Sequence, residues 1–356
     1  MSKVIDRFGE AAVDPAAWPA IMDDICRAVG ASAAVLLQSD VRTPDVPRTQ
    51  SMDEGTRLYF KEGWHLTDPR AAGFPRMMSG EIVTDHDILT PEQIRSNPMY
   101  NEVLYPFGLR WFAGVGFWAG SAAWALAIQR TGREGPFEAQ DKRLLARLAP
   151  RLTETATLST AIGRIALTSM TDVLSRVRQP ALVINRQGMV LSANAAADAG
   201  FDEEIRIRDR QLVVRDKKAA TELDQLIDMI RSTPDIAALP AAPIVIRRTA
   251  KPPVVVRVLP VGGAARSVFL GARAMLVLSN LAPRPAPEPG LISQAFGLTS
   301  AESRLVSLLA GGRSLEEAAQ TLRIARETAR NQLKSAFSKT GTHRQAELIS
   351  LVSQLA

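Results

Sequence analysis

The sequence predicts a multidomain chain: two α+β modules followed by an all-α module of four short helices. Three observations carry this expectation. Residues 282–290 hold four prolines in nine positions, a run that favours an extended, semi-rigid spacer. Downstream of it, capping-box patterns recur at Thr299/Glu302, Ser314/Glu317 and Thr342/Gln345, each ahead of an apolar run. Upstream of it, short apolar strands alternate with amphipathic helical stretches.

Composition narrows the class. Hydrophobic residues make up 46% of the 356 and charged ones 22%, enough for ordinary cores. The single cysteine, Cys26, excludes an intramolecular disulfide framework and a multi-cysteine metal site, and fits a reducing, cytoplasmic setting. The first residues, MSKVIDRFGEAAVD, lack the apolar core of a secretion signal. The formal charge of +6 is modest, so the placement of the basic residues matters more than their excess.

Residues 1–136 open with an amphipathic helix (Trp18–Val29) and an apolar strand (Ala33–Leu37). An irregular Pro- and Asp-rich stretch follows. Trp111 to Gln129 carries no charge and is long enough to span a bilayer. Gly114, Gly116 and Gly120 interrupt it, however, and Gly-Ser-Ala-Ala at 120–123 sits mid-run like a turn. A buried β-hairpin is expected, and no membrane partner.

Residues 137–178 read as helical, with Leu145, Leu148, Leu152, Ala156, Ile162, Ala166, Met170, Val173 and Val177 recurring at spacings near three and four. Pro150 would kink the run. Two readings stay open here: two helices packed on their own domains, or a dimerising signal helix joining two sensor domains. Residues 179–281 begin with a strand (Ala181–Asn185), a Gln-Gly turn, a second strand (Met189–Ala193), then Asn194 before small residues. A helical stretch (Thr221–Ile230) and β-rich runs at Ile244–Arg247, Val254–Leu259 and Ala274–Leu278 complete the region. In order and kind these elements resemble PAS domains, which implies a small antiparallel sheet flanked by helices. The α+β pattern of 1–136 is similar to a GAF-type sensor domain.

The sharpest constellation is in 291–356. The first helix carries Leu305, Val306, Leu308 and Leu309 and stops at Gly311-Gly312. The second buries Leu315, Ala318, Ala319 and Leu322. After a turn at Arg323–Ala325, a third helix runs to Gly341, and a fourth carries Leu348, Ile349, Leu351 and Val352. On the third helix Ala329, Leu333, Ala336 and Phe337 share one face, and Arg326, Arg330 and Lys334 lie at i, i+4, i+8 on another, beside Glu327 and Asn331. Between Arg323 and Lys339 there are five basic residues and one acid. A basic helix behind a shorter helix and a tight turn suits insertion in the major groove of double-stranded DNA.

These residues resemble the helix-turn-helix of LuxR-type transcription regulators. The matching stretches are Leu298-Thr299 with Glu302, Leu308-Leu309-Ala310-Gly311-Gly312, Glu317-Ala318-Ala319, Thr328-Ala329-Arg330 and Lys339-Thr340-Gly341. The resemblance implies DNA contacts from Thr328, Arg330 and Asn331 and a phosphate contact from Lys339. The basic face adds Arg326, Glu327 and Lys334 to the interface. The chain departs from the family at Gln332, often histidine there, and at Ala325, often a capping serine. The lost cap costs about 1 kcal/mol of local stability and base preference stays open.

Upstream, Tyr59, Trp64 and Asp68-Pro69 are similar to the aromatic and Asp-Pro pattern of acyl-homoserine-lactone-binding domains. That similarity implies aromatic pocket walls and an Asp ligand anchor; ordinary core aromatics beside a proline-initiated turn are the other reading. His65, His86 and His343 lack a second ligand at i+3 or i+4, so no zinc site is expected. Gly114, Gly116 and Gly120 miss the dinucleotide spacing, and no Walker motif is present. The expectation is a non-enzymatic, cofactor-free regulator. It responds to a small-molecule signal, binds a near-palindromic site as a homodimer, and reaches RNA polymerase. The alternatives are an adaptor whose C-terminal bundle binds protein, a quorum-sensing regulator, and an enzyme with a DNA-binding tail.

Overall fold

The computed structural model describes residue 4 and residues 6–39, 45–232, 242–280 and 286–355. The chain divides into two compact units, Met1–Asn280 and Leu281–Ala356. Of the spacer expected at 282–290, residues 282–285 lie outside the described residues, and its last two residues open a helix, Pro289–Phe296.

The first unit begins with helices α1 (Phe8–Val13) and α2 (Trp18–Val29). Trp18, Ile21, Met22, Ile25 and Val29 bury one stripe of α2, and Gly30 ends it at φ 61°, a left-handed cap that glycine adopts without steric cost. Strand β1 (Ala33–Gln38), helices α3 (Asp53–Lys61) and α4 (Phe74–Met78), strand β2 (Ile82–Thr84), helices α5 (Asp85–Ile88) and α6 (Pro91–Ser96), and strands β3 (Leu109–Ala119) and β4 (Ala122–Thr131) follow. They form an antiparallel sheet of order β1-β4-β3-β2. The uncharged run is therefore a long hairpin, with Ala119 paired to Ala122 across Gly120-Ser121. No helix among the described residues is long and apolar enough to cross a membrane. Gly116 is required by packing: a Cβ there would overlap the backbone carbonyl of Met77 in α4.

Helices α7 (Ala139–Ala146) and α8 (Leu148–Arg176) break at Arg147, not at Pro150. Pro150 sits in the first turn of α8, where its missing N–H has no intrahelical partner to lose. The apolar seam splits into two faces. Leu145, Leu148, Leu152 and Ala156 are buried, as are Ser159, Gly163, Leu167 and Thr171 further along. Met170, Val173 and Val177, with Leu158 and Ile165, are exposed.

Past α8 lie β5 (Ala181–Asn185), β6 (Val190–Ala193), α9 (Ala195–Gly200), β7 (Ile205–Arg208), β8 (Gln211–Val214), α10 (Lys217–Ser232), β9 (Ile244–Ile246), β10 (Val254–Pro260) and β11 (Ala272–Asn280). Five strands make an antiparallel sheet of order β6-β5-β11-β10-β9, flanked by helices. Strands β7 and β8 pair separately across Asp209-Arg210, both at positive φ. Asn194 is a hub: its Oδ1 accepts from Ala181 N and Ala197 N, and its Nδ2 donates to Thr171 O and Gln179 O. It thereby caps α9 and holds β5 to the end of α8. Helix α8 serves both sheets, since Leu152 and Ala156 join the first core and Leu167 packs with Ala181 and Met275 of the second.

The second unit has five helices among the described residues rather than four: α11 (Pro289–Phe296), α12 (Ser300–Ala310), α13 (Leu315–Leu322), α14 (Arg326–Thr340) and α15 (Gln345–Val352). The extra one starts on the last proline of the run, because Pro289 takes the N1 position, where proline is favoured. The boxes at Thr299/Glu302 and Ser314/Glu317 form. The box expected at Thr342/Gln345 does not. Thr342 Oγ1 bonds Thr340 Oγ1, and it is Glu347 that accepts from the backbone N–H of His343 and Arg344. Ile292, Leu305, Leu309, Ala318, Leu333, Ala336 and Leu348 are among the residues of this unit's core.

Candidate nucleic-acid interface and ligand cavity

Helix α14 is held by one face only. Ala329, Leu333 and Ala336 are buried against the neighbouring helices, while Arg326, Glu327, Thr328, Arg330, Asn331 and Lys334 are exposed. The approach to it is tight. Arg323 caps α13 in the left-handed region at φ 55°, and Ala325 occupies the N-cap of α14 with no side-chain bond. The first turn of α14 thus presents backbone N–H groups that the N-cap side chain does not satisfy, a disposition that favours an anionic partner.

Within the face, Arg330 Nη1 lies 3.3 Å from Glu327 Oε2 and Arg326 Nη1 lies 3.9 Å from Glu316 Oε1, both between exposed side chains. Such pairs are worth a few tenths of a kcal/mol up to about 1 and yield readily to a phosphate. Lys339 is placed differently, with its ammonium 2.7 Å from Oε2 of Glu302. Glu302 is 6% exposed and also accepts from Ser335 Oγ at 2.7 Å and from Thr299 N. Burial would raise its carboxyl. The bonds from Lys339, Ser335 and Thr299 outweigh that and hold it at about 2. Gln332 keeps a buried, unpartnered Oε1.

In the first unit, Tyr59 and Asp68 come together and Trp64 stands apart. Tyr59 on α3 donates to Asp68 Oδ2 at 2.7 Å. Asp68 starts a short turn and receives Arg70 through Nε–Oδ1 at 2.9 Å, Nη2–Oδ2 at 2.7 Å and its backbone N–H. The Trp64 indole instead donates to Glu62. Arg70 Nη1 lies 2.9 Å from the Gln129 amide, whose oxygen accepts from it once the amide is turned to satisfy both of its atoms. Burial would raise the Asp68 carboxyl, but the charge and hydrogen bonds of Arg70 hold it below the ordinary range. The same pairing keeps Arg70 above its own, against burial. Tyr59 is pushed up by burial and then by the Asp68 charge.

Two adjoining cavities flank this buried triad. One, of about 30 Å³, is lined by Val35, Thr56, Phe107 and Gln129, among others. The other, of about 150 Å³, is lined by Phe60, Phe74, Phe112 and Asp68, among others. Tyr59 and Arg70 border both. Thr56 is 3% exposed and its hydroxyl has no partner. Nearby, Asp85 binds Tyr100 Oη and Phe112 N, and burial raises its carboxyl. Sequence reasoning missed Arg70, Gln129, Thr56 and Asp85. Arg70 follows the Asp-Pro pair directly and Gln129 ends an otherwise uncharged strand; those were the available signals.

No family model matches the chain, and no curated protein is significantly similar to it in sequence. Among solved structures, the LBD domain of VqsR from Pseudomonas aeruginosa aligns at 17% identity and a TM-score of 0.36, over 44% of this chain and 94% of that one. The phage VqmA–DPO complex aligns at 15% identity and 0.22, over 54% and 90%. The E. coli DhaR(N)–DhaL complex aligns at 11% and 0.23, over 78% and 87%. At overlaps this partial, the functional reading rests on the chain's own residues.

Proposed function

We propose that the chain is a signal-responsive, DNA-binding transcription regulator with a LuxR-type reader at 291–356 and GAF-like and PAS-like sensor modules upstream. One observation carries the reading: α14 is packed through Ala329, Leu333 and Ala336 and leaves Arg326, Thr328, Arg330, Asn331 and Lys334 in solvent behind a tight turn. Such a helix is shaped to enter the major groove by its N-terminal turns, with Arg330 and Asn331 at base edges and Arg326 and Lys334 at phosphates.

Dimerisation belongs to the same proposal. The outward face of α8, with Leu158, Ile165, Met170 and Val173, offers a surface for a second copy. Two readers would then address half-sites about one helical turn apart. The cavities beside Tyr59, Asp68 and Arg70 support a small-molecule signal. Both Asp68 oxygens already accept hydrogen bonds from the chain itself, which leaves the aromatic walls and the Thr56 hydroxyl among the groups open to a ligand. This fits a mainly apolar, uncharged molecule better than one anchored on Asp68.

The test is selection from a random duplex pool with the full-length protein at low salt. Enrichment of a two-fold symmetric site supports the regulator. Absence of any enrichment, together with salt-independent retention of duplex, supports the protein-binding adaptor instead, because phosphate neutralisation must release counterions.

A further inference from the structure

Between the two antiparallel sheets of the first unit lies a cavity of about 350 Å³. It is bordered by Val46 and Pro47 after β1, by Trp124 of β4, by the β5–β6 turn and by residues 268–273. It shares only Gln38 with the 150 Å³ cavity beside Asp68, and Trp124 and Ala125 face opposite sides of the sheet between them, as successive strand residues must.

The charged residues lining the cavity are Asp45, Arg186 and Arg273. Arg273 Nε donates to Asp45 Oδ2 at 2.8 Å. Arg186 contacts the same carboxylate, and its Nη1 and Nη2 reach the Asp45 carbonyl at 3.3 Å. The two arginines are 6% and 4% exposed. One carboxylate thus faces two buried guanidinium groups. Burial and the like charges of their neighbours press both guanidiniums down, and Arg266 also lies 3.9 Å from Asp45 Oδ1, while the Asp45 carboxylate opposes the shift. Two buried donors in the lining, Nε of Arg186 and Nε1 of Trp124, have no acceptor among the described residues. Buried donors are nearly always satisfied, and buried charges nearly always paired. Here two orphaned donors, one of them on a guanidinium, border one cavity, and an anionic acceptor meets both.

We propose that this cavity binds a small hydrophobic monocarboxylate, its carboxylate accepting from the Arg186 guanidinium and the Trp124 indole and its apolar body lying against Phe269 and Leu270. The planar guanidinium fork matches a carboxylate. The site joins the two sheets, so its occupant would tie Trp124 of one to Arg186 of the other. This inference does not depend on DNA binding.

The test uses the full chain with benzoate and hexanoate as probes, and benzamide and phenyl phosphate as controls, followed by calorimetry and thermal shift. Both carboxylates should bind saturably at millimolar concentration and raise Tm, and benzamide should not. R186Q and W124F should each weaken binding, the first by about tenfold or more, as loss of a charge-assisted hydrogen bond implies. D45N, which removes the competing carboxylate, should tighten it, and this variant serves if R186Q fails to fold. No saturable binding of either carboxylate, equal binding of benzamide, or affinity unchanged in both W124F and D45N would overturn the proposal. Tighter binding of phenyl phosphate than of benzoate would overturn the monocarboxylate assignment.

Discussion

The ammonium of Lys339 lies 2.7 Å from Oε2 of Glu302, thirty-seven residues away in sequence. The same carboxylate closes the capping box of α12 through Thr299 and accepts from Ser335 on α14. One buried acid therefore both starts a helix of the scaffold and fixes the far end of the helix that carries the exposed basic face.

This gives a pH dependence with a definite sign. Glu302 is held at about 2 against an ordinary value of 4.5, so its contribution is complete above about 4.5 and is lost as pH falls towards 2. Melts of the full chain across this range should show the second unit losing stability in that window. E302Q should lower Tm at neutral pH and flatten the slope between the two values. A wild-type and E302Q pair with parallel pH profiles would refute the role.

At the reader face, R330A should weaken specific duplex binding by about 1–3 kcal/mol and relax preference at one position of the site. K334A should weaken all duplexes alike and reduce the salt slope by about 1. Binding isotherms at several salt concentrations separate the two. An R330A protein with full affinity and selectivity would remove Arg330 from the base-reading set.

Thr56 offers a test of the apolar cavity. Its hydroxyl is buried without a partner, a state that costs about 1–3 kcal/mol. T56V, of nearly the same shape, should therefore stabilise the unliganded protein by about 1 kcal/mol or more, read as a rise in Tm. If the hydroxyl serves a ligand, that variant gains stability and loses the response to the signal.

Asn194 ties β5, α8 and α9 through four hydrogen bonds. Replacing it by Ala removes a helix cap and strands buried backbone groups, for a loss of about 2–3 kcal/mol. Chemical denaturation of the full chain measures it, with the prediction that the first unit alone is affected.

What the sequence disclosed, and what it hid, follows from the range of the signals. The Trp111–Gln129 hairpin, the strand at Ala181–Asn185 and the boxes at Thr299 and Ser314 are written in neighbouring residues, so periodicity and turn chemistry reveal them. The strands at Ile205–Arg208 and Gln211–Val214 escaped because each is only four residues long and their turn is Asp209-Arg210 rather than a glycine pair. The link from Arg70 to Gln129 and the Arg186–Asp45–Arg273 cluster were hidden for a different reason. Each joins residues from separate strands and loops, and only the folded chain supplies their separations. The exposed basic face of α14 was legible because a helix converts sequence spacing directly into a surface.

Phe269, from the segment between β10 and β11, packs its ring 5.7 Å from Trp18, 5.0 Å from Trp124 and 6.0 Å from Phe117. A residue supplied by one sheet is thus the keystone of the other sheet's aromatic cluster, with α8 running beneath both. Recombination between the two, in evolution or in the laboratory, would leave one partner with a hole the size of a phenyl ring and the other with an orphaned aromatic. The exchangeable joint of this chain therefore lies beyond Asn280. By this packing, Met1–Asn280 is expected to exchange as a single unit.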